Sequence, residues 1–305
     1  MNTRTAIITG ANAGLGFECA RALLAEDPSW HLVFAVRDVR RGTDAVAQTG
    51  QPQRCTVLEL DLASLQSVRA FAGKLRAASL PPVHAIVCNA GLQVVSGTEL
   101  TADGVEMTFG VNHLGHYALV REVLDVLAHP ARIVIVASGT HDPAKITGMP
   151  KPNYTTAEHL AHPDESDSPD GRRRYTTSKL CNVLYAYELD RRLGGGAEGI
   201  TVNAFDPGLM PGSGLARDYS RIGQLAWRYV FPVLRVLPNV NSTRASGARL
   251  AALVSDPRFA GVTGTYFEGE HPIRSSADSY DRAKARDLWE TSERLLTLQS
   301  AEHQD

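Results

Sequence analysis

Short apolar runs rich in β-branched residues recur along the chain, separated by segments in which apolar residues return every three or four positions. The runs at 5–9 (TAIIT), 30–36 (WHLVFAV), 55–60 (CTVLEL), 83–88 (VHAIVC), 131–137 (ARIVIVA), 200–205 (ITVNAF) and 264–268 predict strands. Helical spacing follows the first run through Leu15, Cys19, Ala22 and Leu23. It returns at 64–78, where Ser64 suits the capping position, and at 103–128, 175–193, 242–254 and 281–298. Strands alternating with helices over short connections predict an α/β fold: one doubly wound, Rossmann-type parallel sheet flanked by helices, in a single domain. In such sheets ligands lie beyond the carboxyl ends of the strands. The glycine turn at Gly10, and Arg37, Asp61, Asn89 and Ser138, all fall at those ends.

Two stretches lack this periodicity. Residues 139–174 are polar and carry Pro143, Pro150, Pro152, Pro163 and Pro169; a loop this long predicts an insertion bordering the active site. Residues 209–238 are glycine-rich first, then apolar and aromatic (LAWRYVFPVLRVLP). They read as a lid over a greasy substrate pocket or as a patch that touches a membrane or partner. Trp227, Tyr229 and Phe231 would supply its apolar surface or simply pack helices.

Composition narrows the function classes. The chain has 305 residues, 43% apolar and 21% charged, with a net charge of −2. That permits a large core and gives no reason to expect a nucleic-acid partner. No apolar run approaches the ~18 residues that span a bilayer, so a cytoplasmic protein without a membrane span is expected. Cys19, Cys55, Cys88 and Cys181 stand far apart in apolar segments, as expected of reduced core residues and not of metal ligands or disulfides.

The candidate chemistry begins at TGANAGLG (residues 9–16). A strand, a tight glycine turn and a helix form a phosphate site. Gly10 permits the turn, Gly14 lets backbone approach the phosphate, and Gly16 allows close helix packing. A glycine-rich turn with no ligand is the alternative. Arg37, at the end of the second run, suits a 2′-phosphate, where a carboxylate would suit a free ribose hydroxyl. Arg40 and Arg41 add charge in what reads as the same loop. Adjacent Asp38, and the alternative of an ordinary exposed arginine, keep that assignment open. Tyr175 and Lys179, four apart, share a helix face, and an ammonium there draws a phenol pKa of about 10 toward neutrality. Tyr280 and Lys284 repeat the spacing away from every strand end, so the pair alone proves little.

Together TGANAGLG, Asn89-Ala90-Gly91, Asn112, Ser138, YTTSK at 175–179 and Pro207-Gly208 resemble, in order, the motifs of short-chain dehydrogenases/reductases. LDLASLQSVRAF, VCNAG, TADG, VNHLGHY, SKLCN and VSDP are similar to the branch that holds light-dependent protochlorophyllide reductases and retinol-dehydrogenase-like enzymes. The resemblance implies that Tyr175 donates a proton to a carbonyl oxygen as hydride arrives from nicotinamide. Lys179 would lower the tyrosine pKa and hold the nicotinamide ribose. Ser138 would hydrogen-bond the substrate oxygen, and Asn112 would hold a water in a proton relay. It further implies NADP(H) contacts from Thr9, Gly10, Asn12, Gly14, Leu15, Gly16, Arg37, Asp61, Leu62, Asn89, Ala90, Gly91, Tyr175, Lys179, Pro207 and Gly208. The hydroxyl that the family carries after Pro-Gly is displaced here to Ser213.

Two departures from the protochlorophyllide reductases matter: Leu209 stands where they carry a cysteine, and Val111 where they carry a threonine. The general carbonyl-reductase apparatus is thus kept and part of the photochemical one is not. The expected function is NADPH-dependent hydride transfer to or from a carbonyl or alcohol of a bulky apolar small molecule. The alternatives are light-dependent C=C reduction and a non-catalytic dinucleotide-binding regulator. Homo-oligomerisation is left open.

Overall fold

Apolar residues fill the strand runs at nearly every position because the sheet they build is covered on both faces. The computed structural model describes residues 3–164, 170–210 and 241–301. Its strands are β1 (Arg4–Thr9), β2 (Trp30–Val36), β3 (Cys55–Glu59), β4 (Val83–Cys88), β5 (Leu127–Val136), β6 (Ile200–Asp206), β7 (Thr265–Glu268) and β8 (His271–Ile273). They form one sheet in the order β3-β2-β1-β4-β5-β6-β7-β8, parallel except for the antiparallel β7–β8 pair. The expected α/β, Rossmann-type single domain is therefore what forms.

The helices are α1 (Gly14–Glu26), α2 (Val39–Gln48), α3 (Leu65–Ala77), α4 (Met107–Phe109), α5 (Gly115–Val123), α6 (Ala157–Ala161), α7 (Gly171–Arg192), α8 (Thr243–Ser255) and α9 (Arg282–Ala301). Alternate strand side chains point to opposite faces. Ile7, Val33, Ile86, Ile133 and Val202 pack toward α3, α5 and α7, whereas Ile8, Phe34, Val87, Val134 and Phe205 pack toward α1, α2 and α8. Ser64 caps α3 as its sequence position suggests, accepting from Ser67 N at 3.2 Å.

Several boundaries differ from the sequence expectation. The helix expected at 103–128 is broken: a π turn, Gly110–Leu114, joins α4 to α5, and a 3₁₀ turn, Leu124–Val126, leads directly into β5. Arg40 and Arg41 do not lie in a loop but in the first turn of α2, whose start is set by Asp38 accepting from Arg41 N at 3.0 Å. The short β8, carrying Pro272, was not expected; a strand of three residues holds too few positions to show a period. Helix α7 begins four residues before Tyr175.

The described part of 139–174 is tied to the body on several sides. Lys145 pairs with Glu268 at 2.7 Å, Asn153 N donates to Thr177 Oγ1 at 2.9 Å, Tyr154 OH donates to Asp287 Oδ2 at 2.8 Å, and Gly171 N donates to Val95 O at 3.1 Å. Most of 209–238, with Ser213, Trp227, Tyr229 and Phe231, lies outside the described residues. Among the described residues no helix is long and apolar enough to cross a membrane.

The terminal helix α9 seals α5 and α7 from the side. Trp289 meets the Tyr117 ring at 5.0 Å and the Tyr185 ring at 6.2 Å, with the Arg192 guanidinium 4.3 Å from its own ring centroid. Removing so large an anchor forfeits both apolar burial and aromatic packing. Trp289→Ala should cost about 3 kcal/mol of stability, read from urea unfolding followed by circular dichroism. A loss under about 0.5 kcal/mol, the range of ordinary surface changes, would show that α9 is not an anchor of the fold.

Candidate active site

At the carboxyl end of β1 the chain turns through Gly10, at φ +66°, and Gly14, at φ +59°, into α1. A Cβ on Gly16 would lie 2.5 Å from Asn89 Nδ2 and 2.8 Å from Gly10 O, so only glycine lets α1 come this close. The residue preceding α1, Ala13, offers no side-chain cap, and its first turn carries no acidic residue, whereas Asp38 and Ser64 cap α2 and α3. The first-turn amides of α1 are thus left to an anion, which is the arrangement a pyrophosphate needs. Asn12, Leu15, Ala90 and Gly91 line the same two strand ends by sequence position, with Leu15 buried and Asn12 and Ala90 half-buried.

Arg37 is exposed at the end of β2, and no hydrogen bond or ion pair holds its guanidinium among the described residues. Its neighbour Asp38 is occupied with capping α2. Asp61 follows β3, where its Oδ1 accepts from Ala63 N at 3.0 Å, and Leu62 is buried in the core on the α3 side.

Tyr175 and Lys179 lie on the inner face of α7, 6% and 3% exposed. Lys179 Nζ sits 5.6 Å from the Tyr175 ring centroid and donates to Val136 O at 3.1 Å. Burial pushes the Lys179 pKa down to about 8, opposed by the carboxylate of Asp206. Asn112 enters from the π turn, a rare helical defect associated with function. Its Nδ2 donates to Leu92 O and to Ser178 Oγ, each at 2.9 Å, and its Oδ1 accepts from Leu92 N at 2.8 Å. A Cβ built on Gly91 would lie 3.2 Å from Asn112 Oδ1 and 3.7 Å from Lys179 Nζ, so both side chains come close to Gly91 beyond the end of β4. Ser138, half-buried, stands two residues beyond the carbonyl that Lys179 grips. Pro207 is buried after β6, and Gly208, at φ +74°, donates to Asp206 Oδ1 at 2.9 Å.

Two participants escaped the sequence reading. Asp206, 2% exposed, accepts from Tyr266 OH at 3.0 Å besides Gly208 N and faces Lys179. His116 connects the two halves of the site. Thr9 Oγ1 accepts from Asn89 N and Ala90 N, both at 2.9 Å, which fills its lone pairs. Its proton therefore goes to His116 Nε2 at 2.9 Å, with a longer approach to Val87 O at 3.3 Å. The other ring nitrogen then donates to Asn112 O at 3.3 Å. Burial holds His116 neutral, with its pKa down at about 4. The motif VNHLGHY was the only sequence signal for it; both of its histidines are buried, and the motif does not say that His116 meets Thr9 while His113 meets Ser292. Tyr280 and Lys284 do not pair: Lys284 binds Asp278 at 2.8 Å and Tyr280 stacks on Tyr187 at 5.2 Å.

Comparison with known proteins agrees with this architecture. The family model described as short chain dehydrogenase matches residues 4–157. Protochlorophyllide reductase of Avena sativa is 37% identical over 318 residues, covering 96% of this chain and 99% of that one. WW domain-containing oxidoreductase of Gallus gallus is 34% identical over 304 residues, covering 98% and 69%. Among solved structures, a putative uncharacterized protein from Mycobacterium Paratuberculosis superposes with a TM-score of 0.70 at 29% identity, over 97% of this chain and 94% of that one.

The buried lysine has a consequence for stability. Its pKa falls from 10.5 to about 8 on folding, so keeping it charged destabilises the native state below pH 8. The penalty fades between pH 8 and 10.5, where the unfolded chain binds more protons than the native one. Lys179→Met should therefore stabilise the fold at pH 7, by on the order of 1–3 kcal/mol, and the gain should shrink as pH rises above 8. Thermal unfolding of both proteins across pH 6–10 checks this; a destabilised variant at pH 7 would refute it.

Proposed function

The chain belongs to the short-chain dehydrogenase family, and from that premise we propose an NADP(H)-dependent oxidoreductase that interconverts a carbonyl and an alcohol on a bulky apolar small molecule. The observation that carries this reading is the approach of both Asn112 and Lys179 to Gly91, at strand ends next to an uncapped helix start. NADP(H), when bound, supplies or accepts hydride at the substrate carbon. The Gly10–Gly16 turn and the first-turn amides of α1 would hold its pyrophosphate, Arg37 its 2′-phosphate, and Lys179 its nicotinamide ribose.

Ser138 Oγ would donate a hydrogen bond to the substrate oxygen, and Tyr175 would deliver the proton there. The Lys179 ammonium favours the phenolate that remains. The amide hydrogens of Asn112 are taken by Leu92 O and Ser178, so a relay water would meet an oxygen of this residue and not its amide. A cytoplasmic setting is part of the proposal, in keeping with four unpaired cysteines. The segments 139–174 and 209–238 would border the substrate.

A second reading, light-driven C=C reduction, is favoured by the likeness to protochlorophyllide reductase across 96% of the chain. Leu209 and Val111, which stand in place of a cysteine and a threonine of those enzymes, weigh against it. NADPH oxidation with a panel of carbonyl compounds in the dark, and with protochlorophyllide under illumination, separates the two. Turnover only in the light would overturn the carbonyl reading.

Arg37 should favour the phosphorylated cofactor by on the order of 1.5–3 kcal/mol, or about ten- to a hundredfold in affinity. Titrating NADPH and NADH into the wild type and Arg37→Ala measures it, and equal wild-type affinities would refute it. Tyr175→Phe should abolish turnover and leave cofactor binding nearly intact, while Tyr280→Phe should leave activity unchanged. An inactive Tyr280→Phe would overturn the site assignment.

A further inference from the structure

We propose that His141 is a positioning residue for Ser138, a neutral imidazole strut between the serine's carbonyl and the backbone amide of Ser276. This rests on the reading that Ser138 addresses the substrate oxygen. His141 is fully buried and closes the 3₁₀ turn Gly139–His141 that follows Ser138. Its Nδ1 lies 2.7 Å from Ser138 O, and Ser276 N lies 3.1 Å from its Nε2.

A backbone amide can only donate, so Nε2 must accept and the ring proton must sit on Nδ1, aimed at the serine carbonyl. The His141 backbone amide donates to that same carbonyl at 3.1 Å. Both lone pairs of Ser138 O are thereby taken by one residue.

The strut is braced in turn. The His141 ring lies 4.9 Å from the Tyr266 ring, whose hydroxyl donates to Asp206 Oδ2. A Cβ on Gly139 would stand 2.9 Å from that same carboxylate oxygen. The Ser138 hydroxyl accepts one long bond, from Thr140 N at 3.3 Å, which holds it weakly. Its direction is therefore set by the backbone turn, and His141 fixes that turn to a segment 135 residues away in sequence.

A buried histidine that only fills space would occupy the same volume without caring which nitrogen carries the proton. Two-bond ¹H–¹⁵N correlation spectra of the histidine-labelled wild type separate the cases, with His141 assigned by its loss in His141→Asn. The Nδ1–H tautomer supports the strut; an Nε2–H tautomer overturns it. This readout needs no substrate, so it stands even if no carbonyl compound is turned over and the functional reading fails.

With a substrate in hand, His141→Phe should lower kcat roughly ten- to a hundredfold and leave NADPH affinity unchanged. His141→Asn, whose amide can replace the Nδ1 donor, should recover most of the loss. In a Ser138→Ala background His141→Phe should lower kcat less than about twofold, because the two act through one hydroxyl. Losses that multiply in the double variant, or wild-type kcat in His141→Phe, would overturn the proposal. Should His141→Phe fail to fold, Ser276→Pro deletes the amide that meets Nε2, and Ser276→Ala, which keeps that amide and should keep kcat, controls for the lost hydroxyl. The Ser276 φ of −59° suits proline, and for Ser276→Pro the same fall in kcat with the same non-additivity is expected.

Discussion

The Lys179 ammonium has to be buried and kept charged in one place, and the ends of β5, β6 and α7 are arranged around that demand. A buried charge is tolerated when hydrogen-bonded and electrostatically opposed. Val136 O supplies the hydrogen bond and is shared with Asn182 Nδ2 at 3.0 Å, so two α7 side chains about one helical turn apart grip the same β5 carbonyl. Asp206 supplies the opposing charge and is itself held by Tyr266 and Gly208. Three strands and one helix must be in register before the charge can be accommodated. The pair of carboxylate and ammonium ties the geometry of the site to the order of the sheet.

A second network, uncharged, joins the ends of β1 and β4 to the π turn that carries Asn112. Thr9 gathers the amides of Asn89 and Ala90 and passes its own proton to His116, which reaches the carbonyl of Asn112. The π turn is what brings Asn112 to this meeting point. Its extra backbone residue points the amide at Leu92 and Ser178 while leaving the ring of His116 within reach of β1. His116 and His141 each use both ring nitrogens, the one between Thr9 and Asn112, the other between Ser138 and Ser276.

Much of this was legible in the residues. Strands buried on both faces announce themselves as unbroken apolar runs, and β1, β2, β4 and β6 were found within a residue or so of their ends. The glycines of residues 10–16 mark a turn because no other residue fits, and the Tyr175–Lys179 spacing sets both on one face of α7. The Tyr280–Lys284 pair has the same spacing and no such setting, since Asp278 takes the lysine. Spacing alone could not tell the two pairs apart; position relative to the strand ends could.

By itself, then, the sequence determined the periodicities, the glycine turn, the order of strands and helices, and the placing of Tyr175 and Lys179 on one helix face, since each is written in neighbours a few positions apart. Only the tertiary structure decided the break in the helix around Asn112, the start of α2 at Asp38, the partnership of Asp206 with Lys179, and the inward turn of His116 and His141. Each depends on a contact between residues distant in the chain or on the choice of one hydrogen-bond partner among several. His141 meets Ser276 across 135 positions, and no local pattern of hydrophobicity encodes which backbone amide a buried imidazole will find.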